Sequence, residues 1–342
     1  MKPVFGSLLL LFLAALACTP EKNQEEAPAG GLFFQPEHFP PAHYQFEGNL
    51  PDKRITNLGR KLFFDPILSV DSTISCESCH KPWAAFSDPF HPLSHGLNDE
   101  FGLRNSPAMF NLAWMPEFMW DGGVQHIEIM PFAPITNPVE MGSDLKEVVA
   151  KLKRSPEYQR DFENAFGKGD INDRKMFLAL AQFMSALISE NSPYDQYVKG
   201  NKNALNGEEL AGLALFNQNC SQCHKPPLFT NFSFRNNGLA EGYSDAGRGM
   251  ISLLAEDSMK FKVPSLRNIA YTLPYMHDGR IESLEQVIEH YSSGITAHKQ
   301  LDPSLPTGGF QFSNSEKQQL LAFLKALSDE TFLHQSEFQN PF

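Results

Sequence analysis

The chain has 342 residues, 42% of them hydrophobic and 20% charged, with 29 Phe against 8 Tyr and 3 Trp. That balance is ordinary for a soluble globular protein, and the length suffices for two domains with buried cores. A formal net charge of −12 argues against nucleic-acid binding and against adsorption to anionic lipid, and favours a partner with a basic face.

Lys2 precedes an apolar run at 8–13, too short to span a bilayer and shaped like a secretory signal. Small residues then lead through Ala15-Leu16-Ala17 to Cys18, the pattern of a bacterial lipoprotein processing site. Residues 1–17 are therefore expected to be cleaved. Lipidated Cys18 would then anchor the protein in the periplasm, on the outer membrane. A plain cleaved signal that also removes Cys18 is the alternative. The stretch TPEKNQEEAPAG at 19–30 reads as a flexible tether. Residues 31–50 are Pro- and aromatic-rich, and read as a segment that wraps a domain surface, so 18–49 form the anchor, tether and wrap.

Helices follow. One is predicted at 57–64, ending before Asp65-Pro66 because the residue before proline leaves the helical region. A long irregular stretch covers 81–143. The next helices are expected at 144–153 and 156–166, the latter with Pro at its first position. In 173–190, Phe177, Leu180, Ala181, Met184, Leu187 and Ile188 recur at helical spacing, and Asn191-Ser192-Pro193 stops that helix. A second unit begins near 201. Asn206 and Glu209 open a helix through 216. Residues 225–280 are irregular, 283–291 are helical, and Ser313 with Glu316 opens a last helix to about 327. No strand alternation is evident. The fold class expected is mostly α, in two units at 50–200 and 201–335.

Once Cys18 is set aside, four cysteines remain, as Cys76-Glu-Ser-Cys79-His80 and Cys220-Ser-Gln-Cys223-His224. Cysteines at i and i+3 can both reach the vinyl groups on one edge of a porphyrin, and a His at i+4 then lies under the iron. A zinc site would need four ligands, and the pairs lie far apart in sequence. A redox CxxC would sit in a βαβ setting that is absent. Simple disulfides would leave the His after each pair unexplained. Two covalently bound haems c are the expected cofactors, one in each cytochrome c-like unit.

With these motifs in order, the chain resembles the bacterial dihaem cytochrome c peroxidases and the related MauG-type dihaem enzymes. The resemblance also rests on LGRKLFFD at 58–65, Arg104-Asn105-Ser106-Pro107, Trp120-Asp121-Gly122, NPVEM at 137–141, FKVPSLRN at 261–268 and TLPYMHDG at 272–279. It implies a peroxidatic first haem on His80 and an electron-relay second haem on His224. It implies Trp120 as a bridge between them and Glu140 as the acid/base over the reactive iron. It further implies a calcium ion held by oxygens of Asn105, Thr272 and Pro274, an arrangement that suits a hard cation.

Three positions bear on how closely the pattern is kept. A removable sixth ligand of the first haem is expected in the loop after Cys79-His80, where His95 is better placed than His91. Where the peroxidases carry a Met ligand to the second haem, this chain has Tyr291, as MauG-type enzymes do, with Met276 as a competitor. A phenolate lowers the iron's potential and a thioether raises it. Met130 stands where relatives tend to have a Gln near the peroxide.

The reading that follows is a peroxidase reducing hydrogen peroxide to water at the first haem, with electrons from a cytochrome c or similar donor. One alternative is a MauG-like enzyme oxidising a protein or organic substrate through high-valent haem. Another is a dihaem electron carrier without catalysis. Such relatives are often dimers, which leaves a homodimer open.

Overall fold

The computed structural model describes residues 32–239 and 245–342, so the expected signal, Cys18 and the tether lie outside the described residues. The chain is mostly helical, as expected from its sequence. Twelve α-helical segments are formed among the described residues: α1 Lys53–Phe64, α2 Cys76–Cys79, α3 Phe132–Thr136, α4 Leu145–Arg154, α5 Pro156–Phe166, α6 Asp173–Ala186, α7 Pro193–Val198, α8 Gly207–Asn219, α9 Gly249–Ser252, α10 Leu284–Glu289, α11 Asn314–Lys325 and α12 Glu330–His334. Two strands of two residues each, β1 Phe234–Arg235 and β2 Phe261–Lys262, pair antiparallel with Phe234 opposite Lys262. None of the described helices is long and apolar enough to cross a membrane.

Side-chain caps set the helix starts. Asp52 accepts from the Arg54 amide at 2.8 Å, so α1 begins four residues before the position read from the sequence. Asp144, Ser155, Asn172, Asn206, Ser283 and Ser313 cap the helices that follow them in the same way. The predicted helix at 173–190 stops earlier, at Ala186, because Leu187 takes non-helical dihedrals. The Asn191-Ser192-Pro193 stop does double duty. Ser192 and Asp195 form a capping box that opens α7.

Two pairs of helices make two cores. In the first, α1 crosses α6 so closely that a Cβ on Gly59 would lie 1.9 Å from the Ala179 carbonyl oxygen. Phe63, Phe86 and Phe183 interlock there, with ring centroids 5.3 to 6.4 Å apart. In the second, α8 crosses α11, and a Cβ on Gly212 would lie 1.9 Å from the Gln319 carbonyl oxygen. Phe216, Phe229 and Phe323 are fully buried against this pair. Each such ring contributes about 1.5–3 kcal/mol of transfer free energy.

The cores do not follow chain order strictly. Tyr194 of α7 packs in the second core, while Phe332, Leu333 and Phe338 return from the end of the chain to the first. A third, smaller cluster joins Phe39 to Trp114, Ile188 and Leu228. It is tied by Trp114 Nε1 donating to the Pro40 carbonyl at 2.7 Å and the Tyr44 amide donating to Ala113 at 2.8 Å.

Candidate functional site

Both CxxCH segments open onto one cavity of about 1220 Å³. A site for a single small ligand is typically about 300–1,000 Å³, so this cavity is larger than one such ligand needs. Its walls come from residues on both sides of position 201, and the stretches 101–141, 235–237 and 245–277 supply much of them. That explains why those segments lack helical periodicity: they line a void instead of packing one face on a core.

At the first motif, α2 is a single turn with a capping box between Ser75 and Ser78. It sets Cys76 and Cys79 one turn apart and leaves His80 at its end. The His80 Nδ1–H donates to the Phe86 carbonyl at 2.7 Å, which leaves Nε2 as the free lone pair. Burial lowers the imidazole's pKa, so the neutral, ligand-competent form prevails. At the second motif Cys220 closes α8 and the His224 amide bonds back to the Cys220 carbonyl. The His224 Nδ1–H is shared by the Phe229 and Pro264 carbonyls at 3.2 and 3.1 Å. Burial pushes its pKa down to about 4. Such backbone acceptors fix ring orientation and raise a ligand's basicity.

All four thiols are unpaired. Burial pushes Cys76 and Cys220 up to about 12 and Cys79 to about 11, and raises Cys223. Among the described residues no group of three or more His, Cys, Asp and Glu is placed to hold a metal ion. Protonated thiols in pairs, each pair beside an imidazole with a free nitrogen, on one large apolar cavity, fit two covalently held porphyrins.

The sequence-predicted residues mostly meet here. Glu140, Trp120, Tyr291, Asn105, Thr272 and Pro274 all line the cavity. Burial raises the Glu140 pKa, opposed by the Asn137 amide, which donates to Oε1 at 2.6 Å. Trp120 is held at both ends: its ring nitrogen donates to the Asn105 carbonyl at 2.8 Å, and its own carbonyl accepts from the Lys262 amide at 2.7 Å. Met130 and Met276 also line the cavity.

His95 does not line the cavity, although its neighbours Ser94 and Gly96 do. Its ring packs 4.4 Å from those of both His91 and Phe101. The backbone just after it is pinned to the NPVEM segment, where the Leu97 amide donates to the Glu140 carbonyl at 3.1 Å. Tyr291, read as part of a helix at 283–291, lies instead in a π-helical turn, His290–Gly294. Burial raises its phenol to about 12, against a lowering bond from Asn237.

Four residues with a part in the site escaped the sequence reading. Lys262 lines the cavity, and burial lowers its pKa to about 8. Its Nζ donates to the Glu117 carbonyl at 2.9 Å. Arg104 bonds Asp121 at 2.5 Å and Asp245 at 2.6 Å, and Arg248 bonds Glu117 at 3.0 Å, so two arginines tie the two wall stretches together. The Asn237 amide donates to the Met276 sulfur at 3.3 Å. Only Lys262 and Arg104 had a sequence signal, since each sits in a segment already singled out.

A sequence profile described as Di-haem cytochrome c peroxidase matches residues 53–203. The methylamine utilization protein MauG of Methylorubrum extorquens is 37% identical over 93% of this chain and 89% of its own length. The cytochrome c551 peroxidase of Nitrosomonas europaea is 34% identical over 84% of this chain and 82% of its own. The crystal structure of a MauG-like protein associated with microbial copper homeostasis superposes with a TM-score of 0.83 at 30% identity, over 90% of this chain and 98% of that one. The two-haem cavity and these likenesses agree: the chain belongs to the di-haem cytochrome c peroxidase and MauG family.

Proposed function

We propose that the chain is an exported dihaem peroxidase, held in the periplasm by lipid on Cys18, that reduces hydrogen peroxide to water. In this reading residues 50–200 hold the peroxidatic haem through Cys76, Cys79 and His80. Residues 201–335 hold the relay haem through Cys220, Cys223 and His224. The haems supply peroxide binding and electron transfer; the chain's own residues do the rest. Glu140, steadied by Asn137, takes a proton from one peroxide oxygen and returns it to the other as the O–O bond breaks. Two electrons and two protons complete the conversion of one peroxide to two waters. The electrons come from a cytochrome c or similar donor through the second unit, past Trp120. Calcium on oxygens of Asn105, Thr272 and Pro274 would brace the seam beside that tryptophan.

The observation that carries the reading is the shared cavity. It is lined by both CxxCH motifs, with Glu140 and the doubly anchored Trp120 in its wall. An EPR-monitored redox titration of purified holoprotein, with peroxide turnover measured against a reduced cytochrome c, tests it. Partial reduction should yield one high-spin haem and peroxide consumption. A protein six-coordinate in every redox state and inert to peroxide would be an electron carrier, and the proposal would fail.

Tyr291 favours a second reading, a MauG-like oxidation of a protein or organic substrate. It lines the same cavity as His224, and oxygen ligation would lower the second haem's potential below the reach of a simple cytochrome donor. Spectra after peroxide addition separate the two: a long-lived change in both haems favours the MauG-like activity.

A further inference from the structure

One cation in the cavity wall has no acid of its own. Arg104, Arg235 and Lys262 all line the cavity. Arg104 is paired with Asp121 and Asp245, and Arg235 with Asp302 at 2.6 Å. Lys262 is different. Its Nζ donates to the Glu117 carbonyl at 2.9 Å, and among the described residues no carboxylate pairs with it. The two acids whose charge it feels are already committed: the Glu117 carboxylate bonds Arg248 at 3.0 Å, and Asp121 bonds Arg104. An ammonium has three N–H donors, and the Glu117 carbonyl takes one. Leaving a buried charge unpaired is costly, so native proteins pair such charges.

The backbone fixes where this ammonium stands. Lys262 lies in β2, opposite Phe234 of β1. Its amide donates to the Trp120 carbonyl at 2.7 Å, so the main chain and the side chain of one residue both hold the stretch 117–120. The next amide, of Val263, donates to the Ser233 carbonyl at 2.8 Å. One residue further, the Pro264 carbonyl accepts from His224 Nδ1 at 3.1 Å. A single short segment therefore reaches both the bridging tryptophan's loop and the histidine of the second CxxCH motif.

A haem c carries two propionates, which are carboxylates at neutral pH, and they enter the cavity with the cofactor. We propose that Lys262 binds a haem propionate in this cavity and thereby clamps the Trp120 loop to that porphyrin. The inference rests on the reading above, in which covalently held haems fill the cavity. An ammonium–carboxylate hydrogen bond is charge-assisted and stronger than a neutral one. It also bears on redox poise. Reduction adds an electron to the haem, and a fixed positive charge nearby favours that state. Lys262 is a positioning residue, which sets a potential and a loop without touching iron or peroxide.

The test uses holoprotein with two haems per chain, verified by haemochrome assay, in the wild type, K262M, K262Q and K262R. The midpoint potential of each haem is titrated at several pH values, and the propionate-bending bands are read by resonance Raman. K262M and K262Q should lower the midpoint of one haem and steepen its fall with pH, because an unpaired buried propionate takes up a proton when the iron is reduced. The propionate band should shift with it. K262R keeps the charge and should stay close to the wild type. The haem whose potential moves is the one that Lys262 meets. Potentials, pH slopes and bands unchanged in K262M and K262Q overturn the inference, and so does a shift that K262R shares in full. Should the variants fail to fold, the wild type decides alone: propionate bands that do not move in D2O would show that no N–H reaches either carboxylate. A wild type without haem overturns the reading above and this inference with it.

Discussion

The Glu140 carboxyl carries the sharpest consequence at the scale of one residue. Burial raises its pKa above the ordinary carboxylate value, so the protonated form persists to higher pH than for an exposed Glu. A group that must accept a proton works only when ionised. Peroxide turnover should therefore fall as pH drops through that raised value, at a higher pH than an exposed carboxylate would give. Replacing Glu140 with Gln should cut kcat/KM by about 10²–10⁴-fold and abolish that acid limb. Haem content should be unaffected. Steady-state assays across pH, with the visible spectrum as a check on the haem, decide it. Unchanged turnover in E140Q would remove Glu140 from the chemistry.

At this scale the haem-attachment pattern was the legible part. Cys76, Cys79 and His80 declare themselves because their spacing is local, and the same is true of Cys220, Cys223 and His224. Glu140 and Trp120 needed the surrounding NPVEM and WDG segments to stand out. Asn237 and the arginine ties were invisible. Asn237 lies 39 positions from Met276 and Arg104 lies 141 from Asp245, and no periodicity encodes a polar contact made by tertiary folding.

Between elements, the two helix crossings depend on one absent side chain each. Gly212 lets α8 approach the α11 backbone, and an added methyl would meet the Gln319 carbonyl, which cannot swing aside as a side chain can. Gly212→Ala should destabilise the second unit by about 1–3 kcal/mol, an overpacking cost. Gly207→Ala, at the start of the same helix with nothing within 4 Å of the new methyl, should change stability by no more than about 0.5 kcal/mol. Denaturant melts of the two variants give the comparison, and equal melts would show that the crossing relaxes freely. Most helices were legible from caps and apolar spacing. The exceptions, α2, α3, α7, α9, α12 and the π turn at His290–Gly294, are short and owe their shape to what they pack against. A capped turn of six residues has too few positions to display a period.

Across the whole molecule, one buried ion cluster links distant parts of the chain. Asp195, at the start of α7, takes both guanidinium nitrogens of Arg267 at 2.6 and 2.7 Å, and both side chains are fully buried. His38, from the segment before α1, reaches the same carboxylate at 2.9 Å. Arg267 also donates to the Pro227 carbonyl, in the loop whose Phe229 carbonyl receives His224. Burial alone would raise the Asp195 pKa, but the Arg267 bonds outweigh it and bring it to about 2. The folded value lies below the unfolded value of about 3.9. Its stabilisation is therefore present above pH ~4 and fades as pH falls toward the folded value. Asp195→Ala should cost about 3–5 kcal/mol at neutral pH, because it strands a buried guanidinium. It should also flatten the acid side of the stability curve. A pH series of chemical melts on D195A and the wild type measures both. A D195A protein with an unshifted midpoint would show the cluster to be dispensable.

The return of the chain's end to the first core carries an implication for the order of assembly. Phe332 lies 6.0 Å from Phe86 and 5.5 Å from Phe338, ring to ring, and the Phe86 carbonyl is what orients His80. The first core is thus sealed by side chains made after both CxxCH motifs. A chain stopped before Glu330 would keep every ligand of the first site and still lack the wedge that steadies it.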